Sequence, residues 1–222
     1  MFADRREAGR LLADRLAAIE TAKPVVVALP RGGVPVGFEV ARALAAPLDV
    51  LVVRKLGAPG NAELGVGAIA EGGSRVLDAA MARRVGMDQQ ALDATVEREM
   101  AELNRRVERY RAGRAPIDVR DATALVVDDG LATGLTALAA VRALRGREAR
   151  RIVVAVPVGA PESVAMVARE ADEVVCHTMP RHLLAVGYWY RDFAPVPDDA
   201  VLAMLARARL QDFGSEALDT DG

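Results

Sequence analysis

Two adjacent acids, Asp128 and Asp129, stand directly before a loop of small and hydroxyl-bearing residues and an alanine-rich helical run. A helix start offers unpaired N–H groups and a partial positive charge, which together suit a phosphate. The carboxylates cannot favourably contact that phosphate, but they can accept hydrogen bonds from sugar hydroxyls or lie near a metal. The stretch predicts a phosphosugar site; the alternative is an ordinary strand-to-helix turn. The expected phosphate-binding residues are Gly130, Leu131, Ala132, Thr133, Gly134, Leu135 and Thr136.

A second candidate anion site is the segment Pro-Arg-Gly-Gly at 30–33, which follows an apolar run and precedes another helical pattern. Gly32 and Gly33 let backbone amides approach a ligand closely, and Arg31 adds a fixed positive charge. A pyrophosphate fits such a loop, whereas the alternative is a glycine-rich turn with a solvated arginine. Lys55, at the end of a predicted strand, is either a further cation for that anion or part of a solvated loop.

The composition favours a protein of an aqueous, reducing compartment. The chain has 222 residues, 52% of them apolar, and a formal net charge of −2, which disfavours nonspecific nucleic-acid binding. A single cysteine, Cys176, excludes a disulfide within the chain, and the charged N-terminus lacks an apolar signal core. The uncharged runs are too short to cross a bilayer. We therefore expect a cytoplasmic protein with no membrane or nucleic-acid partner.

Several common cofactor motifs are absent. The sequence has no Gly-x-x-x-x-Gly-Lys-Ser/Thr and no Gly-x-Gly-x-x-Gly after the first predicted strand. His177 and His182 lie near Cys176 without a second cysteine, which disfavours a zinc site. Because adjacent strand residues point to opposite faces, Asp128 and Asp129 can meet one sugar only if the turn begins at Asp128.

Apolar runs alternate with helical patterns, which predicts a doubly wound, mainly parallel α/β sheet of about five strands with helices on both faces. Ligands bind such sheets at the carboxyl ends of the strands, near a topological switch point. The distinctive loops converge there if the strands at 25–29 and 124–127 are neighbours. Strands are expected at 25–29, 50–53, 124–127, 151–156 and 174–176, and helices at 3–20, 34–45, 136–145, 162–170 and 198–210.

We interpret residues 1–222 as one domain with an insertion at about 56–119 and a small hood at about 177–197. The hood contains half of the aromatic residues of the chain, including Tyr188 and Trp189. Aromatic residues clustered in a loop can cover a planar ligand. The alternative is a satellite hydrophobic cluster that only stabilises the fold.

The insertion begins with a glycine-rich stretch, 56–73, which predicts a mobile loop or a loose hairpin with a strand at 66–70. A short helix is expected at 79–85 and a long helix at 88–111. Apolar residues of the long helix recur at heptad spacing, so they would pack on the domain or on a neighbouring subunit. This stripe consists of Val96, Met100, Leu103, Val107 and Tyr110.

The stretch 126–136, Val-Val-Asp-Asp-Gly-Leu-Ala-Thr-Gly-Leu-Thr, resembles the phosphoribosyl pyrophosphate (PRPP) signature of type I phosphoribosyltransferases. The segment 30–33 looks like the pyrophosphate loop of the same family. The resemblance covers most of the chain in element order. It implies that 56–119 carries the family's mobile catalytic loop and that 183–193 corresponds to its base-binding hood.

The resemblance implies Mg²⁺-dependent transfer of the 5-phosphoribosyl group from PRPP to a nitrogenous base, with release of pyrophosphate, in nucleotide salvage. The loop 130–136 would hold the 5′-phosphate, and Asp128 and Asp129 would hold the ribose hydroxyls. Mg²⁺ would be chelated mainly by the pyrophosphate and the diol, with either acid contributing only indirectly. Tyr188 or Trp189 would cover the base. The pyrophosphate would be received by Arg31, Gly32, Gly33 and Lys55.

Other functions remain open at this point. A PRPP-sensing regulator on the same fold would keep the phosphate loop and need a partner surface, and a phosphosugar hydrolase or isomerase would use a similar loop. The acceptor base is not visible in the sequence, and a homodimer is an open expectation. The acids considered as a general base are Glu63, Glu71 and Asp192.

Overall fold

The computed structural model describes residues 1–19, 21–58 and 60–216, and the side chains of all of these except 62, 63 and 211–216. Among the described residues, none of the helices combines the length and the apolar composition that a membrane crossing requires. A 3-10 turn, Val186–Trp189, lies in the hood. The other elements are, in chain order, α1 (Arg5–Leu16), β1 (Pro24–Ala28), α2 (Gly33–Leu44), β2 (Leu48–Val50), β3 (Val53–Ala58), β4 (Asn61–Ala70), β5 (Arg75–Leu77), α3 (Ala79–Arg84), α4 (Gln89–Arg111), β6 (Thr123–Val127), α5 (Leu135–Gly146), β7 (Arg151–Val158), α6 (Pro161–Val167), β8 (Glu173–Thr178) and α7 (Asp198–Glu216).

Five parallel strands form the main sheet in the order β2, β1, β6, β7, β8. This confirms the predicted doubly wound α/β fold. The strand β1 pairs directly with β6, with Ala28 opposite Val127 at their carboxyl ends. The sheet grows in opposite directions from this pair, so the pair is a topological switch point. The loops that follow β1 and β6 therefore leave the sheet side by side, where doubly wound folds bind ligands.

Helices cover both faces of the main sheet because the strands contribute side chains to two apolar cores, one on each face. In β1, Val26 and Ala28 join the core that includes residues of α1, α2, α4 and α7. Val25 and Val27 join the other core, which is built largely from α5 and the neighbouring strands. With both faces covered, a strand has no solvent side, and this explains the uninterrupted apolar runs in the sequence.

A separate antiparallel sheet, β3–β4–β5, occupies the segment that was predicted as a mobile loop or a loose hairpin. The hairpin alternative is the closer one, because β3 pairs with β4 along its length, with register shifts on both sides of Gly57. The predicted strand at 50–53 is wrong in extent: β2 ends at Val50, and Val53 already begins β3. A continuous apolar run cannot show where a chain passes from one buried sheet to another.

The long helix α4 confirms the helix predicted at 88–111. Its N-terminus is capped by Asp88, whose Oδ1 accepts a hydrogen bond from the Ala91 N–H at 2.8 Å. The heptad stripe packs on the domain itself: Leu103 and Tyr110 are buried, and the other stripe residues contact the same core while partly exposed. The opposite side of α4 is polar and remains available for other contacts.

Arg111, the last residue of α4, lies at the centre of a buried ion-pair network. Its Nη1 donates to both carboxylate oxygens of Asp49 at 3.1 and 3.0 Å. Its Nη2 donates to Glu71 Oε2 at 3.0 Å and to Val50 O at 2.9 Å. Arg111 and Asp49 are both buried. The network ties the end of α4 to β2 and to the turn after β4.

We expect Arg111→Met to lower the free energy of unfolding by about 3–5 kcal/mol, because the substitution leaves the buried Asp49 carboxylate without its cation. Urea denaturation measures the loss. Arg120→Met is the matched control, since Arg120 pairs with Glu148 on the exposed surface. Equal losses in the two variants would contradict the structural role of the network.

Candidate active site

The carboxyl ends of β1 and β6 open into a cleft of about 1000 Å³, bounded on its other side by β3, β4 and α4. A space of this size accommodates more than one small ligand. Both predicted anion-binding loops and the acid pair contribute to its lining. Among the residues singled out from the sequence, those that line the cleft are Arg31, Gly32, Lys55, Asp128, Asp129 and Thr136.

The acid pair begins where β6 ends, at Val127. The turn therefore starts at Asp128, which is the condition for both carboxylates to reach one sugar. Asp128 Oδ1 accepts a hydrogen bond from the Asp129 N–H at 2.8 Å. Burial, followed by repulsion from Asp129, raises the pKa of Asp128 well above its ordinary value. Burial also raises the pKa of Asp129, against the opposing effect of Arg5. Two crowded carboxylates favour a ligand that brings hydroxyl donors or positive charge.

The glycine loop after β1 approaches the acid pair closely. A Cβ added at Gly32 would lie 2.0 Å from Asp129 Oδ2, and one added at Gly33 would lie 2.5 Å from Val127 O. These distances leave no room for a side chain at either position. Arg31, next to these glycines, is exposed at the cleft, and its Nη1 lies 3.9 Å from Asp198 Oδ1.

The loop 130–136 is fastened to the neighbouring strand and helix. The Leu131 N–H donates to Val158 O at 2.8 Å, and Leu131 O accepts from the Ala160 N–H at 2.9 Å. Ser163 Oγ donates to Ala132 O at 2.5 Å. The loop thus has a defined shape that is set by protein contacts. Ser163 was not predicted from the sequence. Its partner is a main-chain carbonyl, which every residue has, so no residue pattern indicates the contact.

The end of this loop forms an uncapped helix start. Gly134 is the N-cap of α5, with φ of 77°, a conformation that favours glycine, and no side chain caps the helix. The first N–H groups of α5 have no intrahelical acceptors and are suited to an anion. Thr136 lines the cleft, whereas Thr133 is exposed.

Lys55 reaches the cleft from a different element than predicted. It lies within β3, opposite Ala68 of β4, and not at the carboxyl end of a strand of the main sheet. Its side chain is exposed along the cleft. The positive charge of Lys55 acts to lower the pKa of Asp128 and Asp129, against the effect of burial. The small sheet therefore brings a cation to the acids of the main sheet.

The hood meets the acid pair through Tyr190. The Tyr190 hydroxyl donates to Asp129 O at 2.6 Å, and its ring packs against Phe2 and Phe193, with centroids 5.2 and 5.1 Å apart. This is the satellite cluster that the sequence analysis had offered as an alternative. Tyr188 is 69% exposed, and no aromatic side chain occurs among the described residues that line the cleft. Trp189, partly exposed, packs against the same satellite cluster.

Arg5, the first residue of α1, is a site residue that sequence reasoning missed. Its Nε donates to Asp129 Oδ2 at 2.8 Å, and its Nη1 donates to Ala194 O at 2.9 Å. The guanidinium also lies 3.9 Å from the centroid of the Phe193 ring. Arg5 is 124 positions away from Asp129, so no local pattern could have joined them.

The polar side of α4 forms part of the cleft, although the sequence analysis assigned it no chemistry. Heptad spacing explains only the buried stripe, and the remaining residues of such a helix look like a solvated face. In the structure, this side faces the acid pair and the glycine loop across the cleft. The residues of α4 that line the cleft are Ala91, Ala94, Thr95, Arg98, Glu99 and Arg106.

A family model described as the phosphoribosyl transferase domain matches residues 3–188. The chain belongs to the phosphoribosyl transferase domain family. A Mycobacterium tuberculosis protein that carries the provisional name phosphoribosyl transferase is 49% identical over 219 residues, which are 99% of this chain and 49% of that protein. The chain therefore spans about half the length of the curated relatives it matches. The resemblance seen in the two loops is confirmed at the level of the family.

Solved structures show the same fold. A Thermus thermophilus protein is 45% identical, with a TM-score of 0.78 over 93% of this chain and 98% of that one. An Aquifex aeolicus protein, only 13% identical, has a TM-score of 0.52 over 82% of this chain and 76% of that one, and shares the fold alone. The main parallel sheet with a separate small antiparallel sheet is thus the type I phosphoribosyltransferase architecture.

The acids considered as a general base lie in different parts of this phosphoribosyl transferase domain. Glu71 is held by Arg111 and by Arg147, whose Nη2 lies 3.1 Å from Glu71 Oε1. Asp192 is exposed in the hood, and the side chain of Glu63 lies outside the described residues. Neither Glu71 nor Asp192 lines the cleft, in which the acids among the described residues are Asp128, Asp129 and Glu99.

The side chains that line the phosphoribosyl transferase cleft determine how a metal ion could be held there. Among the described residues, no three side chains of His, Cys, Asp or Glu come together as a group that could hold an ion. Asp128 and Asp129 provide a pair of carboxylates at the cleft. This set fits Mg²⁺ bound mainly through the oxygen atoms of a substrate, with the protein supplying at most one or two carboxylates.

Proposed function

We propose that this domain transfers the 5-phosphoribosyl group from PRPP to a nitrogen acceptor and releases pyrophosphate, as in nucleotide salvage. The observation that carries the proposal is the close approach of the two anion loops around one acid pair: a Cβ added at Gly32 would lie only 2.0 Å from Asp129 Oδ2. In PRPP, a ribose diol lies between a phosphate and a pyrophosphate. The cleft has its candidate groups in the same order.

Each part of PRPP has a chemically matched partner in this proposal. The N–H groups at the start of α5, together with Thr136, bind the 5′-phosphate. Asp128 and Asp129 accept hydrogen bonds from the ribose hydroxyls. The pyrophosphate receives charge-assisted hydrogen bonds from Arg31 and Lys55 and from the main-chain amides of 32 and 33.

The transfer exchanges one bond at C1 of the ribose for another. The bond from C1 to the pyrophosphate oxygen breaks, its electron pair leaves with the pyrophosphate, and the acceptor nitrogen forms a bond to C1. An acceptor that attacks through an N–H group also releases that proton. Positive charge develops on the ribose, where Asp128 and Asp129 stabilise it, while Arg31 and Lys55 stabilise the leaving group. Holding both reactants in place contributes roughly 7–11 kcal/mol. Mg²⁺, when bound with PRPP, supplies charge neutralisation on the pyrophosphate.

A turnover assay tests this function against its alternatives. The protein is incubated with PRPP, Mg²⁺ and a panel of nitrogen acceptors, and pyrophosphate and phosphoribosylated product are quantified by chromatography. Equal amounts of both, dependent on an acceptor, support the transferase. Binding of PRPP without turnover on any acceptor supports a regulator, and ribose 5-phosphate formed without an acceptor supports a hydrolase.

Gly32→Ala is expected to lower kcat/KM about 100-fold, because its methyl group must displace the Asp129 carboxylate or the glycine loop, and a shift of about 1 Å costs roughly this much. Steady-state kinetics at saturating acceptor measures the effect. Gly146→Ala is the control, since a Cβ added at Gly146 meets no atom within 4 Å. A Gly32→Ala variant with unchanged kinetics would contradict the assigned contact between loop and acid.

A further inference from the structure

A second cavity, of about 420 Å³, lies between the small sheet, α4 and α5. Its volume is within the range of small-molecule sites. None of the described residues that line it also lines the active cleft, so the two spaces are separate. The phosphoribosyl transfer proposed above makes no use of this second cavity.

The walls of the second cavity are apolar. Leu56 of β3 and Val76 of β5 are buried beneath it, whereas Leu77 of β5 is 40% exposed. Leu92 and Val96 of α4 complete the walls and pack against the core while partly buried. Covering apolar surface gains roughly 25 cal/mol per Å², so the cavity favours a ligand with an apolar body.

The rim of the second cavity carries positive charge. Its polar lining residues are Arg75, Gln89 and Arg142, and no acid lines it among the residues that the structure describes. Arg142 donates to Glu170, outside the lining, at 2.8 and 2.6 Å. Gln89 Nε2 donates to Asp93 Oδ1 at 2.8 Å. Arg75 is exposed, and within the described part of the chain its guanidinium has no hydrogen bond or ion pair. One unpaired guanidinium therefore stands at the rim.

This rim is suited to a single carboxylate. A planar guanidinium with free donors binds a carboxylate through two parallel hydrogen bonds. A doubly charged phosphate matches the rim less well, because Arg75 is the one unpaired cation of the described lining and both Asp93 and Glu170 contact residues of the rim. The chemistry of the lining thus selects a small monocarboxylate with an apolar body.

The second cavity and the active cleft share a wall that consists of β3 and α4. Lys55 lines the cleft, and the next residue, Leu56, lines the cavity, as expected for consecutive side chains of a strand. On α4, Thr95 lines the cleft, whereas Leu92 and Val96 line the cavity. A ligand in the cavity therefore contacts the two elements that form one side of the cleft.

We propose that the second cavity is a regulatory site for a small monocarboxylate with an apolar body, and that its occupant tightens the binding of PRPP in the cleft. The apolar body packs on Leu77 and Leu92, and the carboxylate pairs with Arg75. By holding Leu56, the occupant fixes the strand that carries Lys55 to the pyrophosphate. The regulatory effect rests on the proposed function, whereas the binding site does not.

Titration of acids against their amides tests the site without turnover. Phenylpropionate and octanoate are each compared with the corresponding neutral amide by isothermal calorimetry, in the absence of PRPP and of any acceptor. Each acid is expected to bind about 10-fold more tightly than its amide, since a hydrogen bond between charged groups contributes about this much. Failure of both acids to bind, or equal affinities of acid and amide, would overturn the proposal.

Arg75→Gln removes the charge at the rim and leaves the apolar walls in place. This variant is expected to bind the amides as the wild type does and to lose the preference for the acids, while Arg75→Lys should retain part of it. Arg83→Gln is the matched control, because Arg83 is also an exposed arginine and lines neither space. An undiminished preference in Arg75→Gln would rule out the assigned carboxylate partner.

The coupling between the two spaces is measured by titrating PRPP and Mg²⁺ with and without saturating phenylpropionate, again without an acceptor. We expect PRPP to bind at least about 5-fold more tightly in the presence of the acid, and the acid to bind more tightly by the same factor in the presence of PRPP. An unchanged affinity for PRPP would overturn the regulatory role. A protein that binds the acid but never PRPP would retain the cavity as a ligand site and reject both the regulation and the proposed transfer.

Leu77→Trp tests the same coupling without a ligand. Because Leu77 is 40% exposed at the cavity, the larger indole has room to fill the space beside Leu92. The variant is expected to lose binding of both acids and to bind PRPP more tightly than the wild type does, with a thermal melt to establish folding. A folded variant that still binds phenylpropionate with wild-type affinity would contradict the location of the site.

Discussion

The double variant Asp128→Asn/Asp129→Asn is expected to lose at least about 10³-fold in kcat/KM for PRPP. Removing a single preorganised electrostatic contact from a transition state costs about 10²–10³-fold, and this variant removes both charges that face the developing positive charge on the ribose. The amides also accept weaker hydrogen bonds from the diol than carboxylates do. Steady-state kinetics with a saturating acceptor measures the loss.

The same variant should remain folded. Burial and mutual repulsion raise the pKa of Asp128, so a neutral amide relieves an unfavourable charge at this position. An asparagine oxygen at 128 can still accept the hydrogen bond from the main-chain N–H of 129. Circular dichroism and a thermal melt establish folding, and Asp121→Asn, an exposed substitution just before β6, is the kinetic control. Unchanged kcat/KM in the folded double variant would refute the diol assignment.

Arg5→Met is expected to lower kcat/KM about 10- to 100-fold, because Asp129 loses a charge-assisted hydrogen bond that fixes its carboxylate. The contact uses Asp129 Oδ2, so Oδ1 stays free to accept from a ribose hydroxyl. Arg5→Lys should recover part of the activity through its charge. Arg6→Met provides the control, since Arg6 is the exposed neighbour on the same helix.

The pH dependence of kcat/KM distinguishes a role of Arg5 in positioning and charging Asp129 from a purely structural role. The acid pair must be ionised to stabilise positive charge, so activity falls as the pH drops through its pKa. Arg5 acts to lower the pKa of Asp129, and its removal therefore raises that pKa. The acidic limb of the kcat/KM profile should move to higher pH in Arg5→Met and less in Arg5→Lys. If Arg5→Met had a lower melting temperature but an unshifted acidic limb, Arg5 would have only a structural role.

The main sheet and its principal loops were predictable because their signals are local. Buried parallel strands read as continuous apolar runs. The helix start after β1 carries adjacent glycines, and the one after β6 carries glycines and threonines. The acid pair and the glycine loop could also be placed together, since neighbouring parallel strands deliver their loops to one edge. The contact between Gly32 and Asp129 follows from that pairing of β1 with β6.

The parts that escaped prediction depend on contacts between distant segments. Arg5 reaches Asp129 across 124 positions, and its sequence neighbourhood is that of an ordinary amphipathic helix. The polar side of α4 looks solvated in a heptad pattern and faces the cleft only because Leu103 and Tyr110 anchor the opposite side. Lys55 was placed at the carboxyl end of a predicted strand of the main sheet because one apolar run conceals the passage from β2 to β3.

The hood contains the satellite cluster that its aromatic composition allowed. Tyr190 holds the main chain of Asp129 and packs with Phe2 and Phe193, whereas a cover over a planar base by Tyr188 or Trp189 stays a prediction. Phe2 also pairs with the hood through its N–H, which donates to Trp189 O at 2.7 Å. The N-terminal segment and the hood thus meet beside the acid pair.

The most direct test of phosphoribosyl transfer is mass spectrometry of the product formed from PRPP in water labelled with heavy oxygen. The proposed reaction predicts an acceptor joined to ribose 5-phosphate through a carbon–nitrogen bond, with one pyrophosphate released per product and no heavy oxygen at C1. Ribose 5-phosphate that carries heavy oxygen at C1, formed at the same rate with and without an acceptor, would contradict the account.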